Sequence, residues 1–366
     1  MCGRTACTLA PDEIIGACTY TDKNGNRKQP QWIDASGGQK YWPSYNKAPS
    51  SYTPVLTSGK HFDHSFHDSK SDRVVTPMKW GMTPSWHQGD PFKIPYETNN
   101  CRAEGMLEKK TYKVPLKKGF RCVILADGFF EWKTTKDGKQ PYFFYLPQPD
   151  TVQFPFRTVE TALNDSKLSQ GSPKKELEAT HEPDFKLSAS NLKVEHLSQS
   201  DNEDSREMKI EVQEGKDLKV ENLQENPKVD VPTWNGPRLL PMAGVFDIWK
   251  PHDGSPPLYS YSIITVSSSS DMDWCHHRMP AILTSEQEIQ DWIDFSTIPL
   301  EKATSLIKPQ KCLSHHPVST AVNSSRYHAP NCVTPVVLGK PKSNPSSNLM
   351  MNWLKSGSPA KKMKLV

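Results

Sequence analysis

Gly119-Phe-Arg-Cys-Val-Ile-Leu-Ala-Asp-Gly-Phe-Phe-Glu-Trp-Lys133 is the stretch on which the fold class turns. Cys122 to Leu125 is a short continuous apolar run with β-branched members, the pattern of a strand buried on both faces. Asp127-Gly128 follows as a turn signal, and a second aromatic run leads to Glu131 and Trp132. Working outward, Pro141-Tyr-Phe-Phe-Tyr-Leu, Met242 to Trp249 and Leu258 to Val266 also read as strands. Helical spacing is confined to Pro11 to Cys18, with Pro at its first turn, and to Glu286 to Phe295. No βαβ alternation and no G-x-G-x-x-G occurs. The expected fold is α+β, a mainly antiparallel, barrel-like β core with a few short helices.

That core does not fill the 366 residues. Only 35 % are hydrophobic, mean hydropathy is -0.68, and 32 Pro exceed the usual ~5 % share. The net charge of +4 hides an asymmetry, because residues 160–230 hold 17 Asp+Glu and 10 Lys+Arg. Phe185 is their lone aromatic. Such a composition cannot bury enough apolar surface to fold. We read about 150–232 as a disordered acidic insertion within one domain spanning 1–335, since loop closure costs grow only logarithmically with length. Inside it, Lys193, Lys209 and Lys219 each sit in an apolar-Lys-x-Glu pattern resembling a SUMO acceptor site; solvated charge is the competing reading.

Residues 336–366 read as a disordered basic tail. From Gly339 onward it carries six Lys and no acid, and Pro359-Ala-Lys-Lys-Met-Lys-Leu resembles a nuclear-import signal. Its apolar cluster, including Leu349, Met350, Trp353 and Leu354, resembles a degenerate sliding-clamp (PCNA) box without the leading Gln and paired aromatics. No run of ~18 apolar residues is present, so no membrane span is expected. The first residues lack the apolar run of a secretory signal. Nucleus and chromosome are the expected location.

None of the eight Cys forms a C-x-x-C pair, so a zinc ribbon is not expected. His61, His64, His67, His315 and His316 lie among polar residues without thiol or carboxylate partners at ligand spacing, and no metal or cofactor is expected. Cys2 differs by position. With a small residue second, loss of Met1 is expected, and the chain would then begin with a 1,2-aminothiol. Its α-amine, with a reference pKa of ~7.7–8.0 against ~10.4 for Lys, attacks aldehydes at neutral pH. The neighbouring thiol can then close a five-membered thiazolidine. An incidental Cys at position 2 is the competing reading.

Met1-Cys-Gly-Arg4, Pro43-Ser-Tyr-Asn-Lys-Ala-Pro49, Trp80-Gly-Met-Thr-Pro-Ser-Trp86, Asn100-Cys-Arg-Ala-Glu104, Gly128-Phe-Phe-Glu-Trp132 and His276-His-Arg-Met-Pro280 occur in this order. Together they resemble the SRAP (SOS response-associated peptidase) family, whose members cross-link covalently to abasic sites in single-stranded DNA. The resemblance implies that Cys2 supplies amine and thiol, and that Glu131 shuttles protons. It implies that His276 protonates the sugar ring oxygen and that Asn100 holds the amine or a sugar hydroxyl. Glu131 and His276 would also carry self-reversal of the cross-link. Arg4 and Arg102 would grip flanking phosphates, while Trp86 and Trp132 would stack on bases. Strand alternation is expected to aim only one of His276 and His277 at the site.

The implied substrates are abasic sites in single-stranded DNA, junctions of single and double strands, and replication forks, met by a monomer. Two other classes stay open at this point. A thiol autopeptidase would use Cys2, His276 and Asn100 but leaves Glu131 without a role. A non-covalent reader of 5-hydroxymethylcytosine would need no free N-terminal amine.

Overall fold

The structure is a computed structural model that describes residues 2–62, 72–136, 138–152, 231 and 233–339. The strands in chain order are β1 (Thr5–Cys7), β2 (Tyr20–Thr21), β3 (Arg27–Lys28), β4 (Gln31–Trp32) and β5 (Ser44–Lys47). Then come β6 (Tyr52–Ser58), β7 (Arg73–Trp80), β8 (Asn100–Arg102), β9 (Arg121–Ala126) and β10 (Gly128–Thr135). The last are β11 (Gly138–Tyr145), β12 (Leu240–Trp249), β13 (Leu258–Ser267), β14 (Arg278–Pro280) and β15 (Ser314–Pro317). The helices are α1 (Pro11–Ala17), α2 (Lys110–Lys117), α3 (Glu286–Ile293) and α4 (Leu300–Thr304).

Five strands close on themselves in the order β13-β12-β9-β6-β7, and a parallel pairing of β7 with β13 completes the ring. Closure removes the exposed sheet edge that an open sheet would leave. β9, the run expected from the sequence, lies between β6 and β12, with Ile124 opposite both Val55 and Met242. Its six residues are all buried, as a continuous apolar run requires. Gly244 is needed where β12 crosses it, because a Cβ there would lie 2.2 Å from Ile124 Cδ1.

A second, antiparallel sheet runs β15-β11-β10-β1-β5. The expected turn at Asp127-Gly128 does not reverse the chain. It is a kink that carries the backbone out of the barrel strand β9 into β10 of the second sheet. Asp127 pins the kink: its backbone N–H donates to Ala6 O at 2.7 Å, and its Oδ2 accepts from Thr8 N (2.9 Å) and Thr8 Oγ1 (2.7 Å). Gly128 is required by close approach, since a Cβ would sit 2.3 Å from the Phe144 carbonyl oxygen.

Alternation along β10 then sorts its side chains. Phe129 joins the main core with Cys2, Cys7 and Phe144, while Phe130 joins a smaller core with Ala6, Phe143 and Val322. Glu131, two residues after Phe129, falls on the main-core side beside Cys2. Sequence reading found β9, β11, β12, β13, α1 and α3, although α3 ends at Ile293 rather than Phe295. Trp292 is buried as expected, but Trp249 is only half-buried. Nearly all of the insertion read at 150–232, with Lys193, Lys209 and Lys219, lies outside the described residues. So do most of the tail, with Leu349, Met350, Trp353 and Leu354, and His64 and His67.

Candidate functional site

Cys2 enters the protein at the seam of the two sheets and is 1 % exposed. Asn100, on β8 against β13, donates from Nδ2 to Cys2 O at 2.8 Å. Its Oδ1 is buried and has no hydrogen-bond partner among the described residues. Tyr112 on α2 donates from its hydroxyl to Asn100 O at 3.1 Å, which fixes the short β8 strand from its other side.

Glu131 is 4 % exposed. Burial raises its carboxyl above the usual carboxylate range, and the positive charge of the chain's amino terminus opposes that rise. Burial lowers His276, and the neighbouring His276 ring is the main cause that lowers His277. Cys2, Glu131 and the stacked pair His276–His277 therefore share one electrostatic environment. Burial, followed by the Glu131 charge, pushes the Cys2 thiol far above its ordinary value. The thiol is held as S–H, not as thiolate. Cys275, also within reach of the Glu131 charge, is pushed up to about 12, mainly by burial.

His276 and His277 do not alternate along a strand, because both precede β14. Their rings stack instead, with centroids 4.5 Å apart. His276 is half-buried and His277 exposed. His276 Nδ1 faces both polar groups of Arg278, 3.1 Å from its N and 3.2 Å from its O. A neutral Nδ1 accepts from the Arg278 N–H; a protonated one donates to the Arg278 carbonyl. The ring can gain and lose a proton without turning. Burial is the main cause that lowers its pKa.

The residue that sequence reading left without a role is Glu104. It forms a bidentate pair with Arg278, Oε1 to Nη1 at 2.6 Å and Oε2 to Nη2 at 3.1 Å. Arg278 is buried and also donates from Nη2 to Thr265 O at 2.5 Å. This pair ties the segment carrying Asn100 and Arg102 to the one carrying His276. Both partners stood inside quoted motifs, and their opposite charge was the available signal.

The expected DNA-contacting residues separate into two groups. Arg102 is exposed beside His277 and Glu104. Trp86 is 39 % exposed, with the Lys110 ammonium 5.2 Å from its ring centroid. Arg4 is half-buried and already committed: its Nη1 donates to Asn46 Oδ1 and Val322 O, both at 2.8 Å, and its guanidinium lies over Trp132 at 5.9 Å. Trp132 Nε1 in turn donates to Asn323 Oδ1 at 2.7 Å. Asn46, which is buried, binds the same segment through Ser324 O (2.9 Å) and Tyr327 O (2.7 Å). Residues 320–328 thus form a strap sewn to β5 and β10.

Two other histidines, His61 and His316, are built into the fold. His61 is packed among Phe120, Phe246 and Phe295, and burial lowers it to about 4, so it is a neutral ring. His316 Nε2 pairs with Val333 O at 2.8 Å.

Comparison with known proteins fits this arrangement. The SOS response associated peptidase (SRAP) family pattern matches residues 1–169 and 222–325. The chain belongs to the SRAP family. Within it, the chain is 40 % identical over 365 residues to the abasic site processing protein HMCES of Xenopus tropicalis, covering 99 % of this chain and 87 % of that one. It is 41 % identical over 369 residues to the Gallus gallus protein of the same name, covering 99 % and 88 %. The abasic site processing protein YoqW of Bacillus subtilis is 25 % identical over 296 residues, covering 80 % and 87 %. A crystal structure of a Bacteroides thetaiotaomicron protein shares the SRAP fold at a TM-score of 0.51 and 18 % identity, covering 92 % of this chain and 100 % of that one.

Proposed function

We propose that this SRAP chain processes abasic sites in DNA by capturing them covalently through Cys2 once Met1 has been removed. The observation that carries the reading is the burial of Cys2 within reach of the buried Glu131 carboxyl, with Asn100 holding the Cys2 carbonyl. An abasic deoxyribose opens to an aldehyde, and an aminothiol traps aldehydes. Curated relatives named for abasic site processing, over nearly the whole chain, support the same substrate.

The chemistry follows from the residues. Glu131 takes a proton from the amino terminus, and the free amine adds to C1′ of the open sugar. His276 protonates the ring oxygen as the sugar opens. Water leaves as the imine forms. The Cys2 S–H then adds across C=N, sulfur to carbon and hydrogen to nitrogen, which closes a thiazolidine. Asn100, held through the Cys2 carbonyl, keeps the residue aimed. Glu131 and His276 run the same proton transfers backwards to release the strand. A base-paired duplex shields C1′, so the substrate is an abasic site in single-stranded DNA or at a junction. Exposed Arg102 and Trp86 are suited to phosphate and base. The proposal extends to the nucleus and to replication forks, on the basic motif from Pro359 to Leu365.

A thiol peptidase is disfavoured by the direction of the Cys2 shift. Burial and Glu131 both hold the sulfur protonated, whereas a peptidase nucleophile is a thiolate. The deciding experiment uses a single-stranded oligonucleotide with one abasic site. A denaturation-resistant adduct is expected, lost in Cys2→Ala and in a chain whose amino terminus is blocked by a retained tag. Cys2→Ser keeps the amine but cannot form the thiazolidine, so its adduct requires borohydride trapping. An adduct of full yield from the blocked chain would falsify the aminothiol reading.

A further inference from the structure

Trp42 is the most exposed large aromatic side chain among the described residues, at 68 %. It stands on a groove of 480 Å³ lined also by Pro43, Asn46, Lys47, Ser325 and His328. No Asp or Glu lines this groove, and exposed Lys40 and Arg326 lie beside lining residues in sequence. An apolar ring in an acid-free groove flanked by exposed cations is a combination suited to unpaired nucleic acid: the ring stacks on a base of any identity, and the cations accompany the phosphates.

Hydrogen bonds also tie the groove to the strap. One wall is Ser325 and His328, and His328 Nδ1 lies 3.0 Å from Ser44 Oγ on the opposite wall. The floor residue Asn46 binds Arg4 at 2.8 Å. The other end of the strap holds Trp132, next to Glu131, through Asn323. The strap therefore touches both the groove and Trp132, whose ring lies on the Phe130 face of β10.

We infer that the Trp42 groove is a second nucleotide subsite, which stacks an unpaired base of the strand that continues beyond the captured sugar. This rests on the reading of the chain as one that captures abasic sites in single-stranded DNA. The subsite contributes affinity for strand length, not chemistry. Trp42 makes no hydrogen bond that folding needs, so its variants test binding alone.

The experiment compares full-length protein with Trp42→Ala and Trp42→Phe, binding undamaged oligothymidylates of about 4 and 12 nucleotides by fluorescence anisotropy. Trp42→Ala is expected to weaken the longer strand by roughly five- to a hundredfold, the loss of one stacked base, and to leave the slope of affinity against salt unchanged. Trp42→Phe should restore most of the binding. A very short abasic oligonucleotide should give equal adduct yields with wild type and Trp42→Ala. Equal affinity of Trp42→Ala and wild type for the longer strand overturns the subsite. Failure of wild type to form any adduct overturns the capture reading instead, so the two failures are distinct.

Discussion

Replacing Glu104 by Gln asks whether the pair with Arg278 only fastens two loops or also sets the acidity of His276. The substitution keeps one acceptor oxygen for Arg278 and removes the charge. Hydrogen bonds to charged groups contribute about 1.5–3 kcal/mol each, but Glu104 is more than half exposed and water screens it. One bond survives, so the expected loss of stability is about 1–2 kcal/mol. The electrostatic effect has a definite sign. The Arg278 charge lowers the His276 pKa, and Glu104 partly cancels that charge. Without Glu104, His276 should titrate at still lower pH.

The assay is the pH dependence of the rate of adduct formation, with urea unfolding run in parallel. Glu104→Gln should move the acid midpoint downward, and Glu104→Lys further. If the pair merely fastens loops, the rate changes without a move in the midpoint. A midpoint that stays put, with unfolding within about 0.5 kcal/mol of wild type, would show that this is an idle surface bridge.

Three further outcomes follow from the geometry. Asp127 is raised to about 6 from 3.8 by burial, so the folded chain binds its proton more tightly than the unfolded chain does. Its contribution is fully favourable below about pH 4 and is lost as pH rises to 6, at most about 3 kcal/mol; Asp127→Asn should therefore unfold later in urea at pH 7.5 and flatten that pH dependence. Gly128→Ala drives a Cβ against the Phe144 carbonyl at 2.3 Å and should destabilise by more than about 2 kcal/mol, seen as a lowered thermal midpoint. Asn100→Asp turns an acceptor toward the Cys2 carbonyl at 2.8 Å, so it should lower adduct yield more than Asn100→Ala, read on denaturing gels.

The strands that carry Cys122, Phe143, Phe246 and Ile263 were legible because they hold long apolar or aromatic runs, which Pro141 of β11 and Pro241 of β12 precede rather than interrupt. The two barrel strands that escaped reading, β6 and β7, each hold a proline. Pro54 and Pro77 sit directly opposite each other, and a proline ordinarily argues against an inner strand. Their pairing places both missing N–H groups at one point of the ladder, which no local reading could foresee. The helix Lys110–Lys117 was hidden in the same way by Pro115. Asp127-Gly128 carried the chemistry of a turn, and only the second sheet converts it to a kink. Of the site, Cys2, Asn100, Glu131 and His276 could be named from their motifs. The Glu104–Arg278 pair joins residues 174 apart, and the Asn46 strap spans still more, so their partners depend on the folded path.

In the proposed capture, the burial of Glu131 lets a single carboxylate serve two nucleophiles with opposite needs. Its negative charge raises the thiol, which keeps sulfur as S–H and unreactive toward stray electrophiles. The carboxyl, itself raised by burial, is a stronger base than an exposed carboxylate and is proposed to take the proton from the Cys2 amine once Met1 is gone. Once the imine has formed, that proton is available to the nitrogen, and the S–H brings its own hydrogen to the ring closure. In that proposal nitrogen acts first, and sulfur acts only on a carbon that nitrogen has already bound. The sequence-level feature that secures the arrangement is alternation along Gly128 to Trp132, which turns Phe129 and Glu131 together toward the amino-terminal core.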